Sequence, residues 1–349
     1  MGARAVIFGL SGRKLLAGER AFFAESAPWG FVLFARNVES PAQLSRLTAD
    51  LRDAAGRDVP VLIDQEGGRV ARLGPPHWRR WQPVLRLFAD VDLGADGGAG
   101  EDAALEATRL RYRIIAGELA AMGIDVDCMP LLDVLAPGAH DVIGERALGR
   151  SPEAVARRGR AVCEGLRAGG VLPVIKHLPG HGRAAVDSHH EAPRVATPRE
   201  TLEAVDFAAF RPLADEALGM TAHVVFEAID PEHCATFSPA VIAAIRREIG
   251  FDGLLMTDDL SMNALPGAMA SRVSGALTAG CDVILHCNGD MAEMREIAAH
   301  TPLLAGRAAG RAARAEAERG AIDRGSGEDF DIAAAEARYS ELTGERLHA

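Results

Sequence analysis

The sequence predicts an α/β fold in which eight parallel strands and their helices close into one (β/α)8 barrel, the TIM-type barrel. Eight short apolar segments alternate with longer amphipathic ones along the 349 residues, and this alternation is typical of a parallel sheet covered by helices. Eight such units in a chain of this length favour a closed barrel over an open sheet. The first apolar segment is followed by no Gly-x-Gly-x-x-Gly motif, which disfavours a dinucleotide-binding fold.

The predicted strands are short and apolar. They cover residues 5–8, 31–34, 59–64, 124–129, 172–176, 220–223, 254–258 and 283–286. The predicted helices include residues 41–54, 101–122, 152–168, 198–217 and 239–249. Four of them start with Ser or Thr followed by Pro, which supplies an N-cap and a first-turn residue that needs no N–H. Glycines at 123, 169, 170 and 250 are expected to end helices.

Two regions depart from the repeated pattern. Residues 89–102 are rich in Gly, Asp and Ala and are interpreted as an irregular connection. From about residue 305 the chain is rich in Ala, Arg and Glu, with a Gly-Ser-Gly break after Arg324. We therefore expect a single domain over residues 1–349, with a helical C-terminal tail that packs on the barrel or on a partner.

Composition restricts the class of partner. The formal net charge of -11 disfavours nucleic acid and anionic lipid as ligands. No segment approaches the roughly 18 apolar residues that span a bilayer. The five cysteines form no Cys-x-x-Cys pair, so reduced buried thiols in a cytoplasmic protein are expected. The expected partner is a small molecule, bound by a monomer or weak oligomer.

Ionisable side chains follow most of the predicted strands. They are Asp64 after the third strand, Asp133 and Arg146 after the fourth, Lys176 and His177 at the fifth, His223 at the sixth, Asp258 and Asp259 at the seventh, and His286 at the eighth. Barrel enzymes carry their active sites at the carboxyl ends of the strands. These side chains therefore predict one polar pocket at that end of the barrel.

The segment after the fifth strand is the richest in such residues. Pro179 and two nearby glycines disfavour a helix, so a metal pair of His177 and His181 on one helical face is not expected. Further on, Asp187 precedes His189 by two residues and can accept an imidazole N–H, an arrangement that suits a general acid/base. A loop whose histidines only bond to their own backbone is an equally good interpretation of these residues.

The two adjacent aspartates of the seventh strand cannot both point into the pocket, because neighbouring strand residues face opposite sides. The residue types do not decide which of Asp258 and Asp259 does so. Arg72, Arg146 and Lys176 are each candidates for structural ion pairs. Together with carboxylates such as Asp64, they also supply the donors and acceptors that sugar hydroxyls need, so a carbohydrate or similar polyol is the expected ligand.

Five blocks of the chain resemble glycoside hydrolase family 3, and within it the single-domain bacterial β-N-acetylhexosaminidases of cell-wall recycling. They are Leu33-Phe-Ala-Arg-Asn37, Ile63-Asp-Gln-Glu-Gly-Gly-Arg-Val70, Ile143-Gly-Glu-Arg146, Lys176-His-Leu-Pro-Gly-His-Gly182 with Asp187-Ser-His189, and Phe251-Asp-Gly-Leu-Leu-Met-Thr-Asp-Asp-Leu-Ser-Met262. The fourth block is the most specific. Leu178 stands where the family more often has Phe.

The resemblance implies a retaining mechanism with a covalent glycosyl-enzyme intermediate. Asp258 would be the nucleophile, and His189, polarised by Asp187, would be the acid/base. The implied contacts to N-acetylglucosamine are Asp64, Arg72, Arg146, Lys176 and His177. The implied substrate is N-acetylglucosamine linked to 1,6-anhydro-N-acetylmuramic acid in the cytoplasm, with no metal or organic cofactor.

Three alternatives remain open from the sequence. Another activity of the same family is possible, such as a β-glucosidase or a phosphorylase. A metal-dependent barrel hydrolase could use a cluster of side chains. Those would be His177, His181, His189, His190 and Asp258. A sugar-binding barrel that has lost catalysis and acts as a sensor is the third alternative.

Overall fold

Eight parallel strands form a closed barrel in the computed structural model, which describes residues 2–89, 99–184, 193–263, 265–322 and 330–347. Around the barrel the strand order is β1-β10-β9-β7-β5-β4-β3-β2, and β6 pairs with β8 beside it. The strands are β1 (Arg4–Phe8), β2 (Pro28–Leu33), β3 (Val61–Ile63), β4 (Val126–Asp127), β5 (Leu172–Leu178), β6 (Arg194–Val195), β7 (Leu218–Thr221), β8 (Val225–Phe226), β9 (Leu254–Asp259) and β10 (Val283–His286). The predicted barrel and its eight strands are confirmed.

Helices cover the outside of the barrel. The α-helices are Ala17–Ser26, Pro41–Ala55, Ala99–Ala121, Pro152–Ala168, Arg199–Thr201, Phe207–Phe210, Pro239–Ala244, Met269–Ala279, Met291–His300, Gly306–Ala321 and Ile332–Thr343. Shorter 3-10 turns are Ala35–Asn37, Val84–Phe88, Gly144–Arg146, Arg211–Leu213 and Ala235–Phe237, and π-helical turns are Leu202–Asp206 and Ile245–Ile249. None of the helices in the described ranges is long and apolar enough to cross a membrane.

Three of the four predicted Ser/Thr-Pro helix starts are confirmed. The hydroxyls of Ser40, Ser151 and Ser238 each accept a backbone N–H at 3.2–3.3 Å from the third residue of the helix that follows. The fourth prediction is wrong, because Pro198 itself occupies the N-cap and Thr197 makes no cap. The predicted helix 198–217 is also too long. It is divided into short turns that end at Leu213. Pro212 lies in the last of them, a 3-10 turn, and cannot donate the N–H that continuing the α-helix would require there.

The structure describes only part of each of the two regions that depart from the repeated strand–helix pattern. The helix Ala99–Ala121 begins inside the connection predicted for 89–102, and the buried ion pair of Glu101 with Arg158 (3.0 Å) ties its first turn to the next helix. Residues 90–98 of that connection lie outside the described residues, as does the predicted Gly-Ser-Gly break. The helices Gly306–Ala321 and Ile332–Thr343 lie on either side of that break.

The first tail helix, Gly306–Ala321, packs against the amino ends of the strands. Ala312 and Ala315 join the apolar cluster that fills the barrel, and Arg319 contacts Asp125, next to β4, at 2.6 Å. Arg311 likewise contacts Asp282, next to β10, at 3.1 Å. This helix therefore closes one end of the barrel, so that a cavity between the strands can open only at the carboxyl end.

Candidate active site

A cavity of about 300 Å³ lies at the carboxyl ends of the strands, a size at the lower end of the range for small-molecule sites. All six candidate site residues within the described ranges line it. They are Asp64, Arg72, Arg146, Lys176, His177 and Asp258. The other two candidates, Asp187 and His189, lie outside the described residues. The structure thus brings together side chains from four different strand ends.

Alternating charges form a continuous row along one wall of this cavity. Asp64 accepts a hydrogen bond from Lys176 Nζ at 3.0 Å and another from Arg72 Nη2 at 3.1 Å. Lys176 Nζ also lies 2.8 Å from Glu66 Oε1, and Glu66 accepts Arg146 through Nε and Nη2, both at 2.8 Å. We call these five side chains the charge row. Each of its cations has a fixed carboxylate partner, which leaves further N–H groups of known direction for a ligand.

Glu66 is the member of the charge row that the sequence interpretation left without a role. It is 2% exposed, and its backbone carbonyl accepts Tyr112 Oη at 3.0 Å and Arg111 Nη2 at 3.2 Å. The next residue, Gly67, has φ +90°, and a Cβ there would lie 1.9 Å from Arg111 Nη2. The two-residue spacing of Asp64 and Glu66 is the feature of the sequence that could have indicated a role for Glu66, because residues two apart on an extended segment share a face.

In the charge row, attraction between opposite charges changes the pKa values more than burial does. Burial raises the pKa of the Asp64 carboxyl, but Lys176 and Arg72 bring it well below the usual range. Burial likewise raises the pKa of Glu66, and Arg146 and Lys176 lower it overall. For Lys176, burial lowers the pKa while Asp64 and Glu66 raise it well above its usual value. All of these groups are therefore charged at neutral pH.

Asp133 orders the start of the loop that follows β5. Its Oδ2 accepts the His177 ring at Nδ1 (2.8 Å), while Oδ1 accepts the backbone N–H groups of His177 (3.2 Å) and His181 (2.6 Å). Burial raises the pKa of Asp133, but His177 and the other partners lower it to about 2. A carboxylate on Nδ1 places the proton there, so that His177 Nε2 is an acceptor while the ring is neutral.

The same loop packs tightly against the segment after β4. The N–H of Ala136 donates to the Gly182 carbonyl at 3.0 Å, and a Cβ on Gly182 would lie 2.0 Å from the Val134 carbonyl oxygen. Arg183 Nε then contacts Asp206 at 2.7 Å. The Pro-Gly-His-Gly sequence is therefore a close-packed turn and not a helix, as its composition predicts.

The structure distinguishes the two aspartates at the end of β9. Asp259 accepts the N–H groups of Ser261 and Cys287, both at 3.0 Å, and the Ser261 hydroxyl at 2.6 Å. Its carboxylate therefore holds the local backbone. The Asp258 carboxylate takes only the neighbouring Asp259 N–H at 2.8 Å within the described part of the chain. Both residues border the cavity, so the difference between them is the carboxylate oxygen of Asp258 that has no hydrogen bond among the described residues.

Asp258 is also ionised. Burial raises the pKa of its carboxyl, but His223, His177 and the Asp259 N–H lower it overall. An ionised carboxylate with one oxygen anchored by a backbone N–H and the other directed at a polar cavity can act as a nucleophile or stabilise a developing cation.

The described residues contain no group of three or more His, Cys, Asp or Glu side chains arranged to hold a metal ion.

Known proteins match both the sequence and the fold. The family model for the glycosyl hydrolase family 3 N terminal domain matches residues 19–304. A beta-hexosaminidase of Alkalilimnicola ehrlichii is 39% identical over 289 residues, which cover 81% of this chain and 80% of that protein. One of Methylococcus capsulatus is 39% identical over 287 residues, covering 81% and 82%.

Solved structures agree with this assignment. NagZ of Neisseria gonorrhoeae in complex with N-trifluoroacetyl-D-glucosamine superposes with a TM-score of 0.84 at 31% identity, over 98% of this chain and 99% of that one. A family 3 beta-N-acetylglucosaminidase of Paenibacillus sp. superposes with a TM-score of 0.82 at 30% identity, over 97% and 66%. Together with the polar cavity and its ionised Asp258, these matches show that the chain belongs to glycosyl hydrolase family 3 and is a glycoside hydrolase of the β-N-acetylhexosaminidase type.

Proposed function

We propose that the protein is a retaining β-N-acetylglucosaminidase that removes N-acetylglucosamine from its linkage to 1,6-anhydro-N-acetylmuramic acid during cytoplasmic recycling of the cell wall. The observation that carries the proposal is that the ionised Asp258 carboxylate borders the same cavity as Asp64, Lys176 and the two arginines of the charge row. A retaining glycosidase needs this combination, in which a carboxylate reaches the anomeric carbon while fixed donors and acceptors hold the hydroxyl groups.

In the first step the free oxygen of Asp258 attacks the anomeric carbon, and the bond to the leaving sugar breaks. The imidazolium of His189, paired with Asp187, gives its proton to the departing glycosidic oxygen. In the second step His189 takes a proton from water as that water attacks the anomeric carbon, and the ester bond to Asp258 breaks. Both residues return to their starting states, and the anomeric configuration is retained through two inversions.

The charge row supports the specificity part of the proposal. Asp64 offers lone pairs to sugar hydroxyls, and Lys176 and Arg72 offer N–H groups beside it. His177, held through Nδ1 by Asp133, presents Nε2 toward the same cavity as an acceptor. Binding of N-trifluoroacetyl-D-glucosamine by the gonococcal relative is consistent with an acetamido sugar as the ligand.

One assay tests the activity and its closest alternatives. We expect hydrolysis of an aryl β-N-acetylglucosaminide, little hydrolysis of the matching β-glucoside, and no sugar phosphate when phosphate is added. Faster turnover in phosphate with a sugar phosphate product would instead identify a phosphorylase. Binding of N-acetylglucosamine without any release of the aryl group would identify a sensor.

The nucleophile is tested separately. We expect Asp258→Ala to abolish turnover while the neighbouring Asp259 is intact. A 5-fluoro glycosyl fluoride of the N-acetylated sugar should label the wild-type protein on a peptide containing Asp258. Labelling on any other residue, or turnover by Asp258→Ala near the wild-type rate, would refute the assignment.

A further inference from the structure

The ladder between β7 and β9 stops short of the proposed nucleophile. The last paired residues are Met220 and Met256, so the following residues of β9 have no partner on that side within this ladder. On the other side, β10 pairs with β9 as far as Leu285 and Asp259. The end of β9 that carries Asp258 is therefore held by a backbone ladder from only one of its two neighbouring strands.

His223 occupies the open side. It follows β7, is fully buried, and its Nε2 lies 3.1 Å from the backbone carbonyl oxygen of Asp259. A carbonyl oxygen only accepts, so Nε2 carries the proton and donates. The ring thus replaces the missing ladder with a side-chain hydrogen bond, one residue beyond Asp258.

The orientation of this ring is fixed by buried hydroxyl groups. His223 Nδ1 lies 2.8 Å from Thr236 Oγ1, which itself lies 2.8 Å from Thr221 Oγ1. All three side chains are fully buried, and burial lowers the pKa of His223. A neutral ring with its proton on Nε2 needs a donor at Nδ1. The Thr236 hydroxyl has one proton and two acceptors within reach, Nδ1 at 2.8 Å and the Ala222 carbonyl at 3.2 Å; the shorter contact assigns the proton to Nδ1, with Thr221 donating to Thr236.

We propose that His223 is a positioning residue for the nucleophile: its Nε2–H holds the Asp259 carbonyl and thereby sets the direction of the Asp258 carboxylate. This inference rests on the proposed role of Asp258. His223 is not among the described residues that border the cavity, so we infer that it acts through the backbone and not on the sugar. With the Cys287 N–H on the Asp259 carboxylate at 3.0 Å, the residue after the nucleophile is held from both neighbouring strands.

Two amide variants separate this role from simple packing. In His223→Gln the side-chain amide reaches the position of Nε2 and can still donate to the Asp259 carbonyl. In His223→Asn the shorter amide reaches only the position of Nδ1, so it keeps the contact to Thr236 and loses the one to Asp259. Both substitutions place a neutral amide in the same buried site, so the pair controls for polarity, and the two variants differ in volume by one methylene group.

The rate of covalent labelling by the 5-fluoro glycosyl fluoride is the readout, because it reports attack by Asp258 and needs little acid assistance. We expect His223→Asn to be labelled about 100-fold more slowly than wild type, as for a reacting group displaced by about 1 Å. His223→Gln should stay within a few-fold of wild type. Across aryl glycosides of different leaving-group acidity, the Asn variant should lose the same factor in kcat/KM, because proton donation is untouched.

The possible outcomes separate two failures. If wild type is not labelled at Asp258, the proposed function fails. If wild type is labelled there and His223→Asn is labelled at the same rate, or both variants lose equally, the inference about His223 is refuted. A loss that grows as the leaving group becomes a poorer one would also refute it, since that pattern belongs to the acid/base. Thermal unfolding of both variants checks that each is folded at the assay temperature.

Discussion

Replacing Glu66 by Gln tests whether the ion pairs of the charge row stabilise the folded protein. The change keeps the shape of the side chain and removes one negative charge from a residue that is 2% exposed. It weakens two charge-assisted hydrogen bonds from Arg146 and the ion pair with Lys176, all at 2.8 Å. Removing one partner of a buried ion pair typically costs about 3–5 kcal/mol, because the remaining charge is left buried without compensation.

The expected loss in the free energy of unfolding is therefore about 3–5 kcal/mol for Glu66→Gln. For a chain of 349 residues that corresponds to a fall in Tm of roughly 4–7 °C. Because Lys176 and Arg146 both border the cavity, kcat/KM should fall as well. Differential scanning calorimetry and denaturant titration measure the stability, and the aryl glycoside assay measures the activity.

A matched control is available on the surface. Glu164 pairs with Arg109 at 2.6 Å, but both side chains are nearly half exposed. Glu164→Gln should cost no more than about 1 kcal/mol. The pKa of Glu66 is lowered by folding, so its contribution is present above the ordinary value of 4.5 and is lost as the pH falls through the folded value. The difference between wild type and Glu66→Gln should therefore shrink in acid. If the two variants cost the same at neutral pH, or if the difference grows in acid, the reasoning is refuted.

Three further predictions concern other residues of the site. His189→Ala should slow aryl glycosides with good leaving groups less than it slows the natural disaccharide; equal losses on both would contradict the acid role. Asp133→Asn weakens the bond to the His177 ring and two backbone bonds, and kcat/KM should fall roughly 10- to 100-fold, the equivalent of about 1.5–3 kcal/mol; an unchanged value would show that the loop needs no such anchor. Asp127 is fully buried with Oδ1 on the Gln65 N–H at 2.9 Å and no partner on Oδ2 among the described residues, and burial raises its pKa to about 7. Between 3.8 and about 7 the folded state holds the extra proton, so stability falls as the pH rises, and Asp127→Asn should stabilise the protein more above pH 7 than near pH 4; a pH-independent difference in unfolding free energy would contradict this.

Local patterns in the sequence were sufficient for the fold. Each barrel strand is a short apolar run that can be recognised from its own residues, even though its burial requires strands far away in the sequence, such as β10 beside β1. The caps at Ser40, Ser151 and Ser238 are equally local, because the hydroxyl bonds to a backbone N–H three residues away. Part of the error at residues 198–217 was also local: Pro212 stood inside the predicted helix, and the run ends in the 3-10 turn that contains this proline, which has no N–H to continue an α-helix.

The location of the site and the types of residue that line it were predictable from the sequence. Strand-end positions indicated that Asp64, Lys176 and Asp258 meet at one mouth, and the structure places all three on one cavity. Their catalytic and binding roles remain predictions that come from the family resemblance. The roles of Asp187 and His189 rest on that resemblance and on their spacing alone, since both lie outside the described residues.

Only the tertiary structure decided which partner each polar or charged side chain of the site contacts. Glu66 meets Arg146 across 80 positions of sequence, and His223 reaches Asp259 across 36. Strand periodicity predicted that only one of Asp258 and Asp259 points into the pocket, but both border the cavity, and the bonds that Asp259 accepts from Ser261 and Cys287 are what distinguish them. The sequence by itself thus determined the strands, the caps and the end of the barrel where chemistry is possible, because these depend on near neighbours. The alternating charge row, the anchoring of Asp259 and the free oxygen of Asp258 depend on contacts between strand ends that come together only when the barrel closes.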